Sequence, residues 1–211
     1  MNKLFLTCII TAAAVTTNCY AQSTDTRGEF HLGLKAGMNY SNVYDSQGED
    51  FVADAKAGFA AGVFFTIPIG NLVGVQPEVL FSQKGFKGSG TLLGSPYQVT
   101  RTTNYIDIPL MLAIKPSSRI TLLAGPQFSY LLKQKDEFTN GIFNTFQVQE
   151  FENDNLRKNT LAFLGGVDFN FESIVLGTRL GWDIKNNNGD GTSNTPRYKN
   201  KWFQVTLGFK I

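Results

Sequence analysis

Four carboxylates and five cations occupy polar positions in strictly alternating stretches of the chain: Glu78, Asp107, Asp168 and Asp183, with Lys35, Lys84, Lys115, Arg179 and Lys210. Alternation at period two puts the polar members of each stretch on one side of an extended strand, so these groups face a common interior when the strands share a sheet. Two kinds of chemistry suit such a set. Paired charges across an enclosed space can build a proton or ligand pathway. Glu78 and Asp107, on adjoining strands, also have the makings of an acid–base carboxylate pair with Arg179 as counter-ion. A simpler role competes with both: unpaired charge in a narrow interior is costly, and matched cations and anions neutralise it as a plug of salt bridges. The expectation is therefore an interior charge network of Glu78, Asp107, Arg179, Lys84, Lys115, Asp168 and Asp183, with no catalytic residue, no cofactor-binding residue and no metal ligand.

The remaining reactive groups are few. His31 is the sole histidine and opens the first alternating stretch. A Ser-His-acid hydrolase acting on outer-leaflet lipid needs its imidazole at the opposite end, beside a serine and a carboxylate, so His31 reads as an interfacial side chain. The run Asn186-x-Asn188-x-Asp190-Gly191 partly resembles the start of a calcium loop, but its first position is Asn and Arg197 stands where a bidentate Glu is required, which favours a plain turn. Gly165-Gly166 precedes no helix and is not a phosphate cradle. Phe138, Phe143, Phe146 and Phe151 cluster in one long polar segment. They serve either as a binding surface or as strands prolonged into a hairpin.

The elements that must position these residues emerge from the alternation itself. Eight stretches carry an apolar face: Leu32 to Tyr40, Phe59 to Ile67, Val73 to Phe81, Ile106 to Ile114, Ile120 to Leu132, Leu161 to Phe171, Ile174 to Ile184 and Phe203 to Ile211. Connections alternate in length. Pro68 to Leu72, Pro116 to Arg119 and Phe171 to Ser173 are tight, whereas Ser41 to Lys56, Gly85 to Asn104, Lys133 to Asn159 and Lys185 to Asn200 are long and polar. Short turns at one end and long loops at the other mark a transmembrane barrel. Tracing the chain up and down places Tyr40, Phe59, Phe81, Phe128, Tyr130, Phe163, Trp182 and Phe203 at the loop end. Phe30, Phe169, Phe171 and Phe209 fall at the turn end, with Phe65 outside both belts.

An edge strand in hydrocarbon leaves N–H and C=O groups unpaired, each at a cost of several kcal/mol, so the sheet must close. Eight strands enclose a lumen filled by side chains. The fold class expected is all-β, an eight-stranded antiparallel up-and-down transmembrane β-barrel with short periplasmic turns and long extracellular loops. The contrasting architecture, a soluble lipocalin-like barrel, turns the apolar face inward.

Composition agrees with this class. Gly 21 and Phe 18 accompany a charged fraction of only 17%, as aromatic and glycine-rich strands require. Lys3, the apolar run Leu4 to Val15 and the stretch Cys19-Tyr20-Ala21 form an export signal with cleavage before Gln22. Both cysteines, Cys8 and Cys19, precede that cut, which leaves no thiol for a disulfide or a metal. Without Lys3 the net charge falls from +2 to about +1, which makes no case for nucleic acid. Residues 1–21 are thus expected to be a signal peptide, 22–29 a short periplasmic segment and 30–211 the barrel.

Pro77-Glu78-Val79-Leu80-Phe81-Ser82-Gln83-Lys84-Gly85 and Asn104-Tyr105-Ile106-Asp107-Ile108-Pro109-Leu110-Met111-Leu112 carry a family resemblance, together with Gly125-Pro126-Gln127-Phe128 and Leu164-Gly165-Gly166-Val167-Asp168-Phe169. Over roughly Gly33 to Ile211 the chain resembles the PorT-like outer-membrane β-barrel proteins typical of Bacteroidetes. One departure is the terminal Phe209-Lys210-Ile211, where such strands usually end on an aromatic residue. The resemblance implies a cell outer-membrane protein, some of whose relatives belong to secretion machinery. The function expected is structural or binding rather than enzymatic, with specificity in the extracellular loops and no cofactor. Expected partners are outer-membrane lipids and an extracellular ligand or envelope protein. A lipid-modifying enzyme is the reading from another class.

Overall fold

The computed structural model describes residues 25–45, 53–92, 95–140, 143–149, 158–187 and 198–211. Its strands are β1 (His31–Asp45), β2 (Ala53–Pro68), β3 (Val73–Leu92), β4 (Ser95–Ser117), β5 (Ile120–Asn140), β6 (Phe143–Gln149), β7 (Asn159–Phe171), β8 (Ile174–Asp183) and β9 (Tyr198–Lys210). Each of the eight long strands hydrogen-bonds to a neighbour on both sides, and β1 pairs with β9 to close the ring. Closure runs β4 to β5 and then β5 to β7, because β6 pairs with β5 alone, outside the ring. All pairings are antiparallel. No free edge is left at membrane depth, which is what the absence of backbone partners in hydrocarbon demands.

Side-chain direction follows the alternation in all eight ring strands. Leu34, Met38, Leu112, Leu180 and Leu207 point outward, and Leu207 is 61% exposed. Lys35, Asn39, Glu78, Asp107, Asp168, Arg179 and Thr206 point inward and are buried. A soluble barrel would show the reverse. An outward apolar surface of this extent is unstable in water and requires lipid. The two aromatic belts are also present. Phe59 stacks on Phe81 with ring centroids 5.1 Å apart, and Phe163 packs on Trp182 at 5.5 Å. Phe65 proves to belong to the turn-end belt, since its ring lies 6.5 Å from that of Phe30.

The tight connections are real turns. Ile69 and Gly70 both donate to the Val73 carbonyl, Ser118 and Arg119 join β4 to β5, and Glu172 takes a positive φ of 45° between β7 and β8. At the other end, much of what the sequence marks as long loop continues as strand. β3, β4 and β5 run for 20, 23 and 21 residues, about twice the 9–11 that cross a bilayer. The apolar alternation ends where lipid ends, but the backbone ladder does not need it, and residues such as Val99, Thr100, Thr102 and Thr103 favour extended pairing. Residues 1–24, with the expected signal peptide, lie outside the described residues, as do Phe151 and most of the Asn186 to Gly191 run.

Candidate functional site

The lumen brings the inward charges together in two groups and leaves two aside, Lys115 and Lys210, the latter with its Nζ 3.5 Å from Asn170 Oδ1. Nearer the turn end, β8 places Arg179 beside Asp168 of β7, with Nη1–Oδ1 at 2.6 Å and Nη2–Oδ2 at 3.0 Å. Glu78 of β3 stands 3.6 Å from the same guanidinium and is ion-paired on its other side with Lys35 of β1. Gln76 ties the two carboxylates, donating to Glu78 at 2.9 Å and to Asp168 at 3.2 Å. Two cations and two anions from four strands thus cancel. Their mutual attraction and hydrogen bonds offset the desolvation that each would otherwise suffer.

The second group lies further toward the loop end. Lys84 pairs with Asp107 at 2.9 Å and sits 3.7 Å above the Trp202 ring, with Tyr105 at 5.1 Å. Asp183 accepts from both the backbone N–H and the side-chain amide of Asn200, at 3.1 Å and 2.6 Å. Between the groups, Gln204 donates to Asn39, and Asn39 donates to Ser82 and to the Gln83 carbonyl. Glu78 and Asp107 therefore do not form a carboxylate pair. Each belongs to a different group with its own cation, and Arg179 serves Asp168 and Glu78 rather than Asp107.

Lys115 stands apart from both groups. Its Nζ donates at 2.6 Å to the carbonyl of Arg27, and Arg27 donates back to the Lys115 carbonyl at 3.3 Å. This reciprocal latch holds a 3₁₀ turn, Thr26–Gly28, across the turn-end mouth, where Asp25 caps it by accepting from the Arg27 N–H. The Arg27 guanidinium beside Asp25 holds its carboxyl below the usual carboxylate range. His31 lies at this rim, with its ring Nε2 3.4 Å from the Thr26 carbonyl.

Alternation also sends apolar bulk inward, which the sequence reading did not single out. Trp202, Met111, Ala113, Leu123, Ala162 and Leu164 form a buried cluster. Glycines make room for it: a Cβ on Gly181 would lie 2.3 Å from the Trp202 ring, and one on Gly33 equally close to Phe64. Parity with Phe203 and Val205 was the signal that could have placed Trp202 inside. Lumenal spaces beside Lys35 and at the turn-end mouth are small, about 10 Å³ and about 30 Å³, room for about one or two waters each. Among the described residues no three His, Cys, Asp or Glu side chains gather as a metal site.

Above the membrane, Arg101 of β4 forks onto Asp136 of β5, with both contacts at 2.7 Å, and donates to the Tyr198 hydroxyl. Burial pushes the Tyr198 phenol up, so it stays protonated as a donor and acceptor. Phe86 packs edge-on against Tyr198 at 5.4 Å, and Tyr97 stacks on Phe138 at 5.7 Å. Arg101, Asp136, Phe86 and Tyr198 were missed in the sequence, because they lie where no hydrophobic alternation sets a register. Of the aromatic residues expected in this region, Phe138 joins the Tyr97 stack, and Phe143 and Phe146 fall on β6 as a hairpin arm.

With this geometry in hand, comparison with known proteins is informative. A family described as the outer membrane protein beta-barrel domain matches residues 20–189. Among solved structures, Ail, the attachment invasion locus protein of Yersinia pestis, in complex with the heparin analogue sucrose octasulfate, aligns at 15% identity with a TM-score of 0.52, over 87% of this chain and 99% of that one. Neisserial surface protein A aligns at 12% identity with a TM-score of 0.47, over 85% and 97%. OprG from Pseudomonas aeruginosa aligns at 11% identity with a TM-score of 0.36, over 86% and 95%. No curated protein sequence matches. The Ail alignment shows a shared fold and nothing beyond it.

Proposed function

The chain belongs to the outer membrane protein beta-barrel domain family and lies in the outer membrane, and from that premise we propose that it is a non-enzymatic barrel whose binding role resides in its extramembrane end. The single observation that carries this reading is the excess length of β3, β4 and β5, at 20, 23 and 21 residues. A purely structural barrel needs no such extension. Continuous ladders, the Arg101–Asp136 fork and the Tyr97–Phe138 stack fix the projecting strands as a platform. A platform fixed in advance spends less ordering entropy on binding than mobile loops do.

The lumen supports the non-enzymatic part. Glu78, Asp107 and Asp168 are each held in an ion pair deep in the lumen, where no substrate group reaches them as acid–base catalysis requires. His31 sits at the opposite mouth from the outer leaflet. We further assign the finer relationship to PorT-like barrels of Bacteroidetes and export by residues 1–21, on the motifs from Pro77 and Asn104 onward and on the Ala21-Gln22 junction. The charge network of Glu78, Asp107, Arg179, Lys84, Lys115, Asp168 and Asp183 then acts as the neutral filling of the barrel, and no cofactor enters the account.

Site-specific photo-crosslinking in intact cells tests this reading. A probe at Thr139, on the projecting end of β5, is expected to give a discrete adduct, while one at Arg119, in the opposite turn, gives none. Adducts from Arg119 alone favour a periplasmic assembly, as in a secretion complex. A His31-dependent change in the mass of lipid A would overturn the non-enzymatic reading.

A further inference from the structure

A surface that merely faces lipid is expected to be convex and apolar, yet the outer end of the β8–β9–β1 face holds a shallow, open groove of about 670 Å³ on the barrel exterior. Tyr40 and Tyr44 of β1, Leu180 and Trp182 of β8, and Lys201 and Phe203 of β9 line it. Register explains its two-tier chemistry. Tyr40, Phe203 and Leu180 are direct cross-strand neighbours, and one step further out so are Asn42, Lys201 and Trp182. The lower row is apolar and the upper row carries a cation. Phe163 packs on Trp182, bracing that wall.

Lys201 is exposed, and its Nζ lies 5.9 Å from the centre of the Tyr44 ring. Arg101 is paired with Asp136 and Lys135 with Glu137, whereas no carboxylate pairs with Lys201 among the described residues. Lys199, directly across from Tyr44, adds a second cation two residues further out. A positive group at the top of an apolar slot, at the depth of the loop-end aromatic belt, complements a molecule with hydrocarbon below and negative charge above.

The geometry points to a binding site in this groove for a phosphate-bearing lipid of the outer leaflet, with acyl chain against Tyr40, Leu180 and Phe203 and phosphate on Lys201. The site is on the lipid-facing wall and does not depend on the binding role of the extramembrane platform. Trp182 and Tyr44 flank the headgroup position as amphipathic interfacial rings do.

Native mass spectrometry of the detergent-purified barrel with bisphosphorylated lipid A as the probe tests the assignment. Wild type and K201R should retain the lipid, and K201Q should retain it about fivefold less, the order expected for one lysine at an anionic surface. Dephosphorylated lipid A on the wild-type chain should be held no better than lipid A on K201Q, which probes the same contact without any substitution. Excess inorganic phosphate should not displace the lipid. Equal retention by K201Q and wild type, or of phosphorylated and dephosphorylated lipid, would overturn the site. Displacement by inorganic phosphate would show a simple anion site and also sink the lipid assignment. All variants should keep the heat-modifiable compact form, so a folding defect is read separately.

Discussion

Arg179 on β8 grips Asp168 on β7 with both guanidinium Nη atoms, 2.6 Å and 3.0 Å from the two carboxylate oxygens, inside a lumen where both side chains are almost wholly buried. A buried fork of this kind is costly to break and cheap to replace as a pair. R179M alone leaves Asp168 without its cation and should destabilise the barrel by about 3–5 kcal/mol. The double variant R179M/D168L leaves Lys35 and Glu78 as a matched pair and should recover most of that loss. Urea unfolding in lipid vesicles, followed by the heat-modifiable mobility shift, checks both numbers.

Gly181 and Trp202 form an equally tight steric pair. G181A drives a methyl into the indole ring and should destabilise by about 1–3 kcal/mol as overpacking, and W202A should cost about 3–5 kcal/mol as a cavity. Because the clash exists only with the ring, G181A should be nearly silent in a W202L background. A double-mutant cycle measured by the same unfolding assay reads this coupling.

The capped turn at the periplasmic mouth should respond to acid. Arg27 lowers the Asp25 pKa below 3.8, so the cap's contribution is complete above pH 3.8 and is lost as pH falls through the depressed folded value. In R27Q the loss should shift to higher pH, toward the ordinary carboxylate value. Carboxyl NMR of Asp25 in micelles, with hydrogen exchange at Gly28 and Glu29, follows the change.

A packed lumen should not conduct. Lumenal spaces of only about 10 Å³ and 30 Å³, with the buried ion pairs of Arg179, Asp168, Glu78 and Lys35 across the lumen, offer no continuous aqueous path. Planar bilayers containing the purified chain should show no stable single-channel steps. R179G/D168G, which removes both side chains of the buried fork, should raise ion leakage.

The sequence made the ring strands legible because lipid imposes a strict rule: Leu34 against Lys35, or Leu207 against Thr206, leaves no ambiguity of register when one face must be greasy. The same parity places Trp202 and Phe64 in the lumen, but neither was singled out in the sequence, and their close approach to Gly181 and Gly33 depends on cross-strand packing that one strand does not encode. Partner choice inside the lumen was not legible. Arg179 chooses Asp168 and Glu78 over Asp107 through strand order and stagger, which no single strand encodes. Beyond the membrane the rule lapses, so the outer ends of β3 to β5 looked like loops and the Arg101, Asp136 and Tyr198 cluster went unseen.

The central claim, apolar side chains on lipid and charges within, is most directly tested by spin-label accessibility along β1 and β9. Both cysteines lie in residues 1–21, so chain refolded without that segment accepts single labels cleanly. Labels at Leu34, Met38, Val205 and Leu207 should show high oxygen and low nickel-chelate accessibility in vesicles. Labels at Lys35, Asn39, Gln204 and Thr206 should be immobile and shielded from oxygen. Oxygen exposure at the second set, or aqueous exposure at the first, would contradict the account.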